Sequence, residues 1–278
     1  MGGCNDLGEL YRNGYGVAQD YLHAYSLFMQ ACDAKEWRGC NNLSLLYMSG
    51  HGVAQDYRQA YNYATQACDG GLAKGCYNLG AVCIHDRDYT HAIDFFAKAC
   101  SRGISVGCNQ AADYSELQAD QMQALKFYKM SCDADDATGC KSYAHLLDDL
   151  LKGTMRIGNL HDYEQATLYN KKACDLGEVS ACSEAGFLLS YASTIVQGAV
   201  PNNQEALRYY NMACEGGEMS VCFRLGMLFE YGHSNLFADG QSITKDPQQG
   251  RSYWKKACDK KDESACTMLQ TVQRSFHF

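Results

Sequence analysis

What the chain lacks narrows the field first. No apolar run approaches the ~20 residues that a membrane-spanning helix needs, so membrane insertion is not expected. Basic residues are in deficit, with 24 Lys and Arg against 32 Asp and Glu, a net charge of −8. That balance argues against nucleic acid and anionic membrane surfaces as partners. The eight histidines are scattered, and no two are spaced as His-x-x-x-His to bind metal from one helix.

Cysteine, in contrast, is abundant and ordered. Fourteen of the sixteen fall in pairs eight residues apart: Cys32/Cys40, Cys68/Cys76, Cys100/Cys108, Cys132/Cys140, Cys174/Cys182, Cys214/Cys222 and Cys258/Cys266. From Cys4 to Cys266 the second cysteine recurs every 32 to 44 residues, the mark of a stacked repeat array.

Aligning on the first cysteine of each pair brings out the unit. Eight residues earlier stands a small residue, Ala24, Ala60, Ala92, Ala124, Ala166, Ala206 or Gly250. Four residues before that stands Asp20, Asp56, Asp88, Asp120, Asp162, Asn202 or Asp246, each a good helix N-cap because its side-chain oxygen accepts from first-turn amides. Pro247 fits the first helical position after Asp246. The spacing therefore predicts a helix A of about three turns, from the Asp or Asn to the cysteine. Bulky residues three and four positions past the small one, such as Phe95/Phe96 and Tyr253/Trp254, share its face as a core stripe.

Helix A must then stop. Three residues past the cysteine comes Gly71, Gly103, Gly177 or Gly217, with Lys35, Asp135 and Lys261 in the other units. Glycine there is the usual left-handed end of a helix. Residues eight apart in one continuous helix lie ~12 Å apart, whereas a disulfide needs Cα atoms within ~7 Å. Only a chain that turns back can join the two cysteines.

Helix B is expected to begin around the second cysteine. Four residues on lies Gly8, Ser44, Gly80, Ala112, Ala144, Gly186 or Gly226, small again, until Gln270 breaks the pattern in an end repeat. Small residues on both helices are expected to let the backbones approach. Cys83 falls in an apolar slot held by Tyr11 and Tyr47 in other units, and reads as a buried packing thiol. Cys4 occupies a second-cysteine position whose partner would precede Met1. The chain then reads as a fragment that has lost its first helix A, so the lack of a signal peptide carries no information.

The unit Ala-x-x-Tyr/Phe-x-x-x-Ala-Cys-Asp-x-Gly-x-x-x-Gly-Cys-x-x-Leu-Gly-x-Leu-Tyr-x-x-Gly-x-Gly-Val-x-x-Asp resembles the Sel1-like repeat. It is clearest over Tyr57 to Gly80 and Asn41 to Asp56. The cysteine pairs make it similar to the disulfide-stapled Helicobacter cysteine-rich protein type, and also to mitochondrial assembly factors with such repeats. The resemblance implies an all-α fold, an α/α superhelical solenoid related to tetratricopeptide repeats, with a disulfide joining helices A and B in each of the seven pairs. It also implies a protein-binding scaffold, although some cysteine-rich members are described as penicillin-binding or weak β-lactamases.

On this reading residues 1–278 form one array: a partial unit 1–19, then units of about 20–55, 56–87, 88–119, 120–161, 162–201, 202–245 and 246–278. The inter-unit segments lengthen at 148–162, 191–202 and 231–246, which are places for specialised contacts. Seven disulfides point to an oxidising compartment, either secreted or periplasmic, with the mitochondrial intermembrane space as the alternative. Each short loop closed is worth roughly 2.5 kcal/mol. Zinc is the competing use of cysteine pairs. Metal sites group cysteines two to four apart in fours with histidine, and here no systematic histidine accompanies a pair, so no metal or cofactor is expected.

Candidate chemistry is sparse. Ser242-Ile243-Thr244-Lys245 and Ser252-Tyr253-Trp254-Lys255 match Ser-x-x-Lys, but the Ser-Asp-Asn and Lys-Thr-Gly companions are absent. Ser242, with Lys245, is the only nucleophile a β-lactam or peptidoglycan hydrolase reading would name. A second candidate is a row of polar side chains one and two residues past the second cysteine, including Asn5, Asn42, Asn78 and Gln110. Stacked repeats would align these into a ladder able to bond the backbone of an extended peptide. Alternatively, they serve local bonding in the first turn of helix B. The sequence therefore reads as a monomeric scaffold binding a protein or peptide on its concave face.

Overall fold

The computed structural model describes residues 3–153, 160–232, 237 and 243–275. The described residues form sixteen helices and no strands. They divide into two compact units, Met1–Ala134 and Asp135–Phe278.

The first unit contains α1 (Gly3–Asn13), α2 (Tyr21–Asp33), α3 (Trp37–Ser49), α4 (Tyr57–Asp69), α5 (Ala73–His85), α6 (Tyr89–Ser101), α7 (Ser105–Leu117) and α8 (Gln121–Asp133). Even-numbered helices are helices A and odd-numbered ones helices B. The expected N-caps hold: Asp20 accepts from His23 N, Asp56 from Arg58 N and Gln59 N, Asp88 from His91 N, and Asp120 from Gln123 N. Helix A ends where expected, with Lys35, Gly71 and Gly103 all in the left-handed region. Helix B starts earlier than the cysteine rule implies. Trp37, Ala73 and Ser105 each open it three residues before the second cysteine. The tight turn leaves one extended residue (Glu36, Leu72 or Ile104) before the next helix, and it caps with no side-chain hydrogen bond.

The turn brings the paired cysteines together. Cα–Cα separations are 4.7, 4.5 and 4.6 Å for Cys32–Cys40, Cys68–Cys76 and Cys100–Cys108, well inside disulfide range. Close helix approach inside the hairpin depends on the glycine before the second cysteine. A Cβ on Gly75 would lie 2.6 Å from both Ala67 Cβ and Cys68 N. The small residue four past the second cysteine has a different role from the one expected. A Cβ on Gly80 would meet Phe96 at 2.8 Å, so it forms a seat for an aromatic ring of the next unit's helix A. Phe28 and Phe96 are thereby buried between repeats.

The second unit contains α9 (Ala137–Gly153), α10 (Leu160–Asp175), α11 (Val179–Ser190), α12 (Ala192–Ile195), α13 (Asn203–Glu215), α14 (Met219–Tyr231), α15 (Pro247–Asp259) and α16 (Glu263–Ser275). Asn202 and Asp246 cap α13 and α15, with Pro247 in the first turn. Asp162 stands differently from the other expected caps. α10 begins two residues before it and holds it inside the first turn, where its charge complements the helix dipole. Disulfides join Cys174–Cys182, Cys214–Cys222 and Cys258–Cys266 at Cα separations of 4.7, 4.8 and 4.7 Å. Cys132 and Cys140 are disulfide-bonded too.

The long segments are partly structural. Residues 148–153 continue α9, and 191–202 folds α12 and packs Val196 and Ala199 against Tyr163 and Leu188. In 231–246, Phe237 is buried and Asp246 N donates to Phe229 O. An insertion that carries apolar side chains inward extends the core.

Lys35 (φ 61°) and Lys261 (φ 69°) take the left-handed position that glycine fills elsewhere. Lys35→Gly is expected to stabilise the protein by about 0.5–1 kcal/mol, because relief of left-handed strain outweighs the added freedom of the unfolded chain. Chemical denaturation of the variant beside the parent checks this.

Candidate functional site

In the first unit the open mixed polar and apolar surface is carried mainly by helix B. Residues two before the second cysteine, and one, two and five after it, share one face of helix B, and the extended residue just ahead of the helix (Leu72, Ile104) borders it. Between α3, α5 and α7 this face opens into a hollow of about 480 Å³, lined among others by Asn41, Leu45, Lys74, Tyr77, Ile104 and Val106. A second hollow, of about 640 Å³, shares Asn41, Leu45, Lys74 and Ile104 and reaches Arg12, Arg38 and Asn42. Shared walls make the two one groove. Its apolar part is open to water: Val106 is 50% exposed, while Leu45, Tyr77 and Ile104 are half-buried.

The amide ladder forms the floor. Asn42 Nδ2 donates to Asn5 Oδ1 at 2.8 Å, and Asn78 Nδ2 to Asn41 Oδ1 at 2.9 Å. The same rule governs both bonds: the amide two past the cysteine donates to the oxygen one past the cysteine in the preceding repeat. Asn42 also donates to Glu9 Oε1 and accepts from Arg12 Nη1. All four asparagines are buried, so these bonds replace water that packing has removed. Gln110 does not continue the series, because the preceding repeat offers Tyr77 in place of a carboxamide. Its Nε2 donates to Asp113 Oδ2 at 3.1 Å. The row is therefore no local first-turn device: Asn42 and Asn78 are each the sixth residue of their helix and bond across repeats.

Three cations border the groove. Arg12 is oriented by Asn42 and by Asn13, at 3.1 and 3.3 Å. Arg38 and Lys74 are exposed, and among the described residues neither stands within ion-pair distance of a carboxylate. Sequence reasoning passed over both. The available signal was the column two before the second cysteine, which reads Arg38, Lys74, Val106 and then Thr138, Ser180, Ser220 and Ser264.

In the second unit the corresponding face is more self-contained. Lys141 binds Glu178 at 3.0 Å, and the Ser180 hydroxyl, then Lys141, hold that carboxyl below its usual range. Lys141 and Ser180 line a smaller hollow of about 160 Å³ together with Glu184 and Phe187.

The remaining candidates do not gather into a site. Ser242 lies outside the described residues; Lys245 is exposed, its side chain passing over Gly232. Ser252 Oγ donates to Gln249 O within its own helix. Among the described residues no three His, Cys, Asp or Glu side chains cluster as metal ligands, and no helix is long and apolar enough to cross a membrane. Cys83 is buried, and that burial pushes its thiol up to about 11. A thiol of this kind is scarcely ionised near neutrality and reacts slowly. Iodoacetamide at mildly alkaline pH is expected to modify Cys4, which is partly exposed, and to leave Cys83 intact until the chain is unfolded. Intact-mass spectrometry counts the adducts, and native labelling of Cys83 would contradict its burial.

The Sel1 repeat pattern matches residues 3–35, 37–72, 73–104, 111–136, 180–218 and 220–262, well over half of the chain. The chain belongs to the Sel1 repeat family. The match skips 137–179, where α9 and α10 run to 17 and 16 residues, whereas 13 is usual elsewhere. Among solved structures the fold is similar to c5321, a protective antigen present in uropathogenic Escherichia coli strains displaying an SLR fold. Identity is 24% and the TM-score 0.66, over 97% of this chain and 56% of that one, so this chain spans little more than half that protein. A Sel1 repeat protein from Oxalobacter formigenes is similar at 26% identity and a TM-score of 0.53, over 76% of this chain and 86% of that one. The C-terminal part of a TPR repeat-containing protein from Cytophaga hutchinsonii shares the fold at 13% identity and a TM-score of 0.53, over 95% and 98%. No curated protein matches the chain by sequence. A disulfide-stapled Sel1 array is a repeat scaffold of the kind that typically mediates protein–protein interaction.

Proposed function

We propose that this Sel1 protein works in the periplasm or outside the cell, where it captures an extended peptide segment of a partner along the helix-B face of its first unit. The observation carrying this reading is the groove between α3, α5 and α7, which pairs open apolar walls with cations that no carboxylate neutralises. Asn78 and Asn42 stand in the groove and are expected to meet the peptide through the polar capacity that their bonds to Asn41 and Asn5 leave. Asn5 holds Asn42 in place, and Gln110 extends the face on α7. Disulfides in each complete repeat keep the face pre-formed, which lowers the ordering cost of binding. A seven-disulfide protein fits an oxidising compartment.

The test is an array of immobilised random octapeptides probed with the oxidised protein. A reproducible, sequence-selective subset is expected, with binding lost in Tyr77→Ala/Val106→Asp. No peptide retained above background would defeat the proposal.

A further inference from the structure

The groove also specifies the chemistry of the segment it takes, and this step rests on the peptide-binding reading above. Arg38, Lys74 and Val106 occupy the same position, two before the second cysteine, in three successive repeats. They border one continuous groove. Repetition turns sequence equivalence into order, and for the first step into spacing: α3 and α5 are in contact, packed helices lie ~10 Å apart, and three residues of extended chain cover ~10 Å. A peptide crossing helices B in turn therefore meets a guanidinium, about three residues on an ammonium, and beyond that an apolar wall.

The charges make that order selective. The chain as a whole carries −8, so a groove edged by Arg12, Arg38 and Lys74 is set against the general sign of the molecule. The carboxylate in that lining, Glu9, already accepts from Asn42 Nδ2, and Arg12 is held by Asn42 and Asn13. Arg38 and Lys74 are left for a ligand to neutralise. At the third station Val106, Tyr77 and Ile104 supply an apolar wall, which favours an apolar side chain.

We infer that the first unit selects a peptide with two acidic side chains about three residues apart, followed by a bulky apolar one. Acidic groups dock at Arg38 and Lys74, and the apolar side chain enters between Tyr77, Ile104 and Val106. Electrostatic complementarity of this kind fixes register and partner choice.

The same octapeptide array decides the point. The parent is expected to retain peptides bearing acid-x-x-acid followed by an apolar residue, with binding that weakens as salt is raised. Arg38→Glu/Lys74→Glu should lose at least about tenfold in affinity for those peptides and turn toward basic ones. Val106→Asp should keep the acidic preference and lose the apolar one. All three positions are exposed or rim the groove, and circular dichroism verifies that each variant keeps the helical fold. Retained peptides without acidic enrichment, or a profile unchanged by charge reversal, would overturn this inference while leaving peptide binding intact. Retention of no peptide at all would defeat both.

Discussion

Complete reduction is expected to abolish the cooperative melt of this protein and to collapse most of its helical circular-dichroism signal. Each bridge ties residues eight apart in sequence and fixes the turn between two 13-residue helices. Isolated helices of that length are marginal in water, and a single helix pair cannot bury its own core. A loop this short is worth roughly 2.5 kcal/mol of constraint on the unfolded chain. Seven such constraints together exceed the ~5–15 kcal/mol that a folded domain usually keeps in hand. Removing one bridge alone, in Cys68→Ala/Cys76→Ala, should cost about 2–3 kcal/mol, read from denaturant unfolding. A reduced chain that melts within a few degrees of the oxidised one would show that packing alone carries the fold.

The second large effect is expected at Gly75. Valine there would place its Cβ 2.6 Å from Cys68 N and Ala67 Cβ and 2.8 Å from Ala67 C. Those neighbours are mostly backbone and cannot turn aside. The Cys68–Cys76 bridge, one residue away, prevents the helices from sliding apart. Overpacking normally costs 1–3 kcal/mol; with both relief routes closed, Gly75→Val should lose about 3 kcal/mol or more and weaken formation of its own disulfide. Gly71→Ala is the control. It has open space around it but φ of 95°, so only backbone strain of roughly 1 kcal/mol applies. Equal losses in the two variants would refute a steric role for Gly75.

Much of this architecture was legible because its determinants are local. The Asp or Asn four residues before the small residue caps helix A in six of the seven units, and a cysteine pair eight apart demands a turn. The left-handed residue falls at all seven expected positions, including Lys35, Asp135 and Lys261, because hairpin geometry forces φ even where glycine is missing. The start of helix B was misjudged because its cap carries no signal common to the units: Leu72 and Ile104 stand where Asp or Ser would announce it, whereas Asp136 and Asp262 do accept from Gly139 N and Ala265 N. Glycine at 80 and 226 advertised smallness but not the neighbour requiring it. Phe96 and Trp254 come from the following repeat, and sequence spacing does not say which surface a helix turns to its successor.

The candidate site was legible to the same degree. The asparagine row was visible as a row, yet its pairing, Asn78 with Asn41 and Asn42 with Asn5, follows from the offset between stacked helices. That offset takes the amides out of solvent and leaves Arg38, Lys74 and the apolar wall as the open surface. A longer segment such as 191–202 could have been read as core from Val196 and Ala199, whose apolar character marked them for burial.

The most direct test of the account is photo-cross-linking with benzoylphenylalanine in place of Val106, beside the same residue in place of Met122. Both native side chains are exposed, at 50% and 74%, but only Val106 borders the groove. A labelled random octapeptide pool should cross-link to the protein carrying the probe at position 106, with competition by unlabelled acidic–apolar peptides, and leave the probe at position 122 unmarked. Equal cross-linking at the two positions, or none at 106, would contradict a peptide site on the helix-B face.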